Sequence, residues 1–88
     1  TSTIIQFMEK LLDILSKKQD KEALKIILSW LFTPQELISI NERIEILQKL
    51  KKWDSQRKIS QDLWVSIATV TRGNRVIKYE YPEIYNYI

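Results

Sequence analysis

Residues 55–74 constrain this chain more than any other stretch. Ser55-Gln56-Arg57-Lys58 opens a short helical run that reaches Asp62-Leu63, and Leu63 to Ser66 reads as a brief turn. Ile67-Ala68-Thr69-Val70-Thr71-Arg72-Gly73-Asn74 then continues as a second helix. Ser66 suits its cap, because a serine hydroxyl accepts a bond from a free first-turn N–H. Two short helices about a tight turn, the second small-faced and rich in threonine, have the form of a helix-turn-helix. Small side chains at the start of the second helix let it lie deep in a DNA major groove. There alanine and the threonine methyl meet thymine methyls, and the threonine hydroxyl reaches a base edge or a phosphate.

Charge is distributed to match. The net charge is +3, yet residues 1–50 carry seven basic and seven acidic side chains and sum to zero. Residues 51–78 carry seven basic side chains (Lys51, Lys52, Arg57, Lys58, Arg72, Arg75 and Lys78) against Asp54 and Asp62. The positive field therefore falls on the segment expected to read DNA, as attraction to phosphates requires. Neither cysteine nor histidine occurs among the 88 residues. Soft metal sites and the usual pairs of base and nucleophile are thereby excluded. The carboxylates and lysines have the spacing of solvated charges, so no catalytic residue and no metal ligand is assigned. Absence of cysteine fits a reducing cytoplasm. No apolar run approaches a membrane span and no basic-then-apolar leader is visible, so a cytoplasmic protein without a membrane partner is expected. The first residue is Thr1 rather than methionine, which suits a trimmed chain.

Taken in order, residues 3–18 form an amphipathic pattern, with Ile4, Met8, Leu11 and Leu15 on one stripe and Ile5 and Leu12 beside it. Lys17 and Lys18 end it, where they complement the carbonyl pole. Asp20 caps a second helix running to about Leu31. Its apolar residues occupy two faces: Leu24, Ile27, Leu28 and Leu31 on one, Ile26 and Trp30 on the other. Thr33-Pro34-Gln35-Glu36 is a capping box with proline at the first helical position, opening a helix from Pro34 to about Lys51. Leu37, Ile40, Ile44 and Leu47 mark one face of it, Ile46 and Leu50 a second. That is more apolar surface than one small monomer covers, and it predicts an intertwined dimer whose helices fill one another's cores. A compact monomer around one central helix is the alternative. Gly73, the only glycine, falls inside the second helix of the motif, either as a defect or to allow close approach by a ligand or another backbone. Pro82 suits the first turn of a last helix over 82–88, whose tyrosines, with Ile84 and Ile88, are expected to pack on a partner chain.

From Trp30 to about Pro82 the chain resembles the bacterial tryptophan repressor family. The residues that carry the resemblance are Leu31-Phe32-Thr33-Pro34, Arg43 with Ile44 and Ile46, Ser55-Gln56-Arg57, and Ile67-Ala68-Thr69-Val70-Thr71-Arg72-Gly73 with Lys78. The resemblance implies an all-α, intertwined homodimer carrying two helix-turn-helix reading heads. It implies a single domain over 1–88, with a dimerisation core at 1–52, the helix-turn-helix at 55–78 and a C-terminal helix at 79–88. It also implies L-tryptophan as a corepressor that binds between core and head. Arg43 and Arg72 match the two arginines that flank the indole, where a flat cation stacks on an aromatic face. Gly73 matches the glycine beside the pocket. The backbone carbonyls of Trp30 and Phe32, with Thr33, match the helix end that faces the ligand ammonium. For DNA, Arg57 matches a base-contacting arginine, and Ile67, Ala68, Thr69 and Thr71 match the groove-facing start of the reading helix. Gln56, Lys58, Arg75 and Lys78 are the expected phosphate contacts.

Three positions depart from the family pattern. Val76 stands where a serine helps hold the ligand amino group, and a valine cannot accept that bond. Trp53 and Trp64 stand where the family has glycines, and a tryptophan is strained wherever φ must be positive. The expected function is a dimeric repressor that binds a palindromic operator in double-stranded DNA when loaded with tryptophan. A relative with a different ligand or none is the first alternative, and a helical protein–protein dimerisation module is the second.

Overall fold

The computed structural model describes residues 2–88. Five α-helices, α1 (Ser2–Ser16), α2 (Lys21–Leu31), α3 (Pro34–Lys51), α4 (Gln56–Leu63) and α5 (Ile67–Arg75), account for most of the chain. No strand occurs among the described residues. A π-helical turn at Val76–Glu80 and a 3-10 helix at Pro82–Asn86 follow. The chain divides into two compact units, one through Pro34 and one from Gln35 to Ile88.

In the first unit, α1 stops at Ser16, so Lys17 and Lys18 lie beyond the helix rather than in its last turn as expected. The Asp20 carboxylate accepts from the Ala23 N–H at 2.8 Å and caps α2 as the sequence predicts. The expected double-sided burial of α2 is absent within the chain: none of its residues is buried, and Ile26 and Trp30 are 72% and 86% exposed. Phe7 on α1 is 83% exposed.

The second unit holds the core. Ile46 and Leu50, one helical turn apart on α3, pack with Ile59 of α4, Val70 of α5 and Ile77 of the π turn. Leu47, Leu63, Val65, Ile84 and Tyr85 close around this cluster. The α3 boundaries coincide with those predicted from the capping box. Ser55 accepts from the Lys58 N–H and Ser66 from the Thr69 N–H, each at 3.1 Å, so both helices of the motif begin at their expected caps.

Both helix ends that lead into and through the motif close on a tryptophan. At the end of α3 the Asp54 N–H reaches back to the Lys49 carbonyl and the Trp53 N–H to that of Leu50. At the end of α4 the Val65 N–H reaches the Ser60 carbonyl, and the Ser60 hydroxyl in turn donates to the Val65 carbonyl at 2.6 Å. These are Schellman-type closures, which need a left-handed residue and favour glycine. Trp53 (φ 68°) and Trp64 (φ 58°) occupy those positions instead.

The last helix departs from expectation. Residues 76–80 widen into a π turn, with the Tyr81 N–H bonded to the Val76 carbonyl at 2.7 Å, and the helix expected over 82–88 is a 3-10 helix at Pro82–Asn86. Ile84 and Tyr85 pack on the core of their own chain, and the Lys51 ammonium holds the segment by donating to the Tyr85 and Ile88 carbonyls. A segment this short has no room for an amphipathic period, and Pro82 supplies no N–H to continue the preceding helix.

Because the two tryptophan side chains are 91% and 93% exposed, little packing offsets their backbone strain. Trp53→Gly and Trp64→Gly are each expected to stabilise the fold by about 1 kcal/mol, read from the midpoint of urea unfolding. A loss of stability in either variant would show that its ring makes a contact worth more than the strain.

Candidate nucleic-acid interface and ligand groove

The candidate reading surface is carried by α4 and α5. Ser55 and Ser66 fix where each helix begins, and the Ser60–Val65 bonds fix the turn between them. Ile59 and Val70 are fully buried beneath, so the two helices are pinned by their inner faces and their outer faces are presented. Arg57 and Lys58 on α4, and Ile67, Ala68, Thr69 and Thr71 on α5, are exposed, as are Arg75 and Lys78. Gln56 is half-buried, because its side-chain oxygen accepts from the Thr71 hydroxyl at 2.8 Å and ties the start of α4 to the middle of α5. The structure thus brings all nine residues expected to touch DNA onto one small head. Lys58 also lies 4.0 Å from the Asp54 carboxylate, a long and exposed pairing that leaves the ammonium available to a phosphate.

Between α3 and α5 runs a groove of about 620 Å³. Ser39, Glu42, Arg43, Ile46 and Leu47 line it from α3; Thr69, Arg72, Gly73 and Val76 line it from the other side. Each wall follows helical spacing, i, i+3, i+4, i+7, so two stripes face each other across the opening. Four of the expected ligand residues, Arg43, Arg72, Gly73 and Val76, are brought together here. The other three, Trp30, Phe32 and Thr33, belong to the first unit. Phe32 there ends α2 in extended backbone, with its N–H on the Leu28 carbonyl.

Gly73 has ordinary helical backbone, and its place is explained by packing. A Cβ at this position would lie 2.9 Å from Ile46 Cγ2 and 3.5 Å from Leu50 Cδ1. The close approach is therefore made first by α3 side chains of the same chain. Sequence reading missed Ser39 and Glu42 as lining residues. Their signal was present in the spacing with Arg43, Ile46 and Leu47, but polar residues on a long helix read equally well as solvated.

Among the described residues no cluster of acidic side chains could hold a metal ion, and no helix is long and apolar enough to cross a membrane. The profile of the family described as Trp repressor protein matches residues 6–88. The chain belongs to the Trp repressor family. That family is one of DNA-binding regulators rather than enzymes. Among its relatives is the Trp operon repressor homolog of Vibrio campbellii, 38% identical over 71 residues, covering 80% of this chain and 71% of the relative. The homolog from Pasteurella multocida is 40% identical over 78 residues, covering 88% and 72%. The homolog from Vibrio cholerae is 37% identical over 71 residues, covering 80% and 69%. No solved structure matches the chain.

Gly73→Ala tests the packing argument. In an open helix this change stabilises by about 1 kcal/mol, but here overpacking against Ile46 costs about 1–3 kcal/mol. The expected outcome is no rise in thermal midpoint, and a clear rise would show that α3 and α5 are not in close contact.

Proposed function

We propose that this protein is a homodimeric transcriptional repressor, cytoplasmic, that binds palindromic operator DNA when loaded with L-tryptophan. The observation that carries this reading is the groove directly behind the reading helix, with Arg43 on one wall and Arg72 and Gly73 on the other. A flat aromatic ligand held between two guanidinium planes gains stacking as well as charge. Thr69 belongs to both the groove lining and the exposed reading surface, so a ligand in the groove touches the helix that reads DNA. The ligand shifts the head only by as much as it binds one arrangement better than another.

The apolar residues left open on α1 and α2 support a second copy as the cover for the 1–52 region, with 55–78 as the reading head and 79–88 packed against the core. Two symmetric heads of this type read half-sites about one helical turn apart, ~34 Å. A second reading, in which the protein answers to another ligand or to none, is favoured by one feature: Val76 presents no acceptor to the groove.

Calorimetric titration with L-tryptophan separates the two. Saturable binding of one ligand per chain, weakened in both Arg43→Ala and Arg72→Ala, is expected. Absence of heat in a folded dimer supports the second reading. On the DNA side, Arg57→Ala is expected to reduce discrimination between operator and random sequence by roughly 1–3 kcal/mol with unchanged thermal stability. Equal loss on both sequences would move Arg57 to the phosphate contacts.

A further inference from the structure

The turn between α4 and α5 carries a strain that nothing inside the chain offsets. Trp64 sits there in left-handed backbone at φ 58°, a region that favours glycine, and its ring is almost wholly exposed. Leu63 and Val65 on either side turn onto the buried cluster, and Trp64 between them is left out of it. The backbone around the ring is held: the Val65 N–H donates to the Ser60 carbonyl, and the Ser60 hydroxyl donates to the Val65 carbonyl. A large apolar ring kept in costly backbone and turned to water points to a contact made outside the chain.

Chain length limits what that contact can be. Trp64 comes two residues before the Ser66 cap and three before Ile67, which is itself exposed. Three residues reach about 10 Å at most, and the DNA major groove is about 12 Å wide. With Ile67 and Ala68 at base edges, Trp64 is held within one groove width of them, in reach of the sugar–phosphate strand that borders the groove. The surrounding charge selects an anionic partner, since residues 51–78 carry seven basic side chains against two acidic ones. We infer that Trp64 is a further DNA contact, its indole lying on the deoxyribose of the strand beside the reading helix. The inference rests on the DNA-binding reading proposed above and adds to it a residue that supplies affinity without reading sequence. An indole suits that place: its face is apolar, as a sugar ring is, and its N–H can donate to a phosphate oxygen. It adds no charge, so unlike a lysine it releases no counterion from the DNA.

The test measures binding of labelled, mixed-sequence DNA duplexes by fluorescence anisotropy, with L-tryptophan present. The wild type is compared with Trp64→Gly, Trp64→Asn, Trp64→Phe and Lys78→Ala. Trp64→Gly and Trp64→Asn both accept left-handed backbone, and each is expected to bind every duplex about threefold to tenfold more weakly, the scale of one aromatic contact. Trp64→Phe is expected to keep most of the affinity. The slope of log affinity against log salt is expected to stay at the wild-type value in all the Trp64 variants. It is expected to become shallower in Lys78→Ala, because only the lysine neutralises a phosphate. The thermal midpoint of Trp64→Gly is expected to be no lower than that of the wild type, which separates weaker binding from unfolding. If Trp64→Gly and Trp64→Asn bind duplexes long enough for one dimer as the wild type does, the assignment of Trp64 is overturned while the DNA-binding reading stands. A loss seen only as cooperativity on longer duplexes also overturns it, because the ring then meets a neighbouring protein molecule. If the folded wild-type protein binds no duplex, both readings fail together.

Discussion

The close approach of α5 to α3 at Gly73 is the constraint on which the rest of this head depends. With no side chain at 73, Ile46 seats its methyl against the α5 backbone, and Leu50 follows one turn later. That contact sets the depth at which α5 lies on α3. The same depth lets Val70 enter the cluster with Ile59 and Ile77, and it leaves the flanking positions Arg72 and Val76 on the groove wall. One missing Cβ therefore serves both packing and the site. A bulkier residue would lift the reading helix and widen the groove in a single movement.

The five residues of the buried cluster make a small core, and the head gains definition from directed bonds as well as from burial. Serine caps fix the first turns of α4 and α5. The Thr71–Gln56 bond and the Ser60–Val65 pair then fix how the helices meet. Trp53 and Trp64 work against this economy. Each sits in left-handed backbone with its ring almost wholly in water, so their closures hold through the hydrogen bonds alone. Two bulky residues at sites that favour glycine place a local cost at either end of α4.

What was legible in the sequence is what has a local cause. Thr33-Pro34-Gln35-Glu36 marked the start of α3, and Asp20, Ser55 and Ser66 named their own caps, because a cap is decided within four residues. The strain at Trp64 was legible too, once the turn required a positive φ there. The end of α1 was read two residues long, since amphipathic period persists beyond the last helical bond. The π turn and 3-10 helix after Arg75 were not legible, because they arise where the chain bends to bring Ile77, Ile84 and Tyr85 onto one cluster. The groove was half legible. Arg43, Arg72, Gly73 and Val76 were named through the family resemblance, with Gly73 also standing out as the only glycine, whereas Glu42 and Ser39 became visible only when α3 was placed opposite α5.

The groove and the reading surface are two sides of one helix. Thr69 and Arg72 are a turn apart on α5, and the N–H of Thr69 is bonded to the Ser66 cap that begins the helix. A ligand that filled the groove would meet α5 beside the turn that carries the exposed Ile67 and Ala68 of the proposed reading surface. Its effect on DNA binding then needs no long path through the protein. It requires only that α5 have more than one position relative to α3, and that the guanidinium groups of Arg43 and Arg72 fit the ligand in one of them.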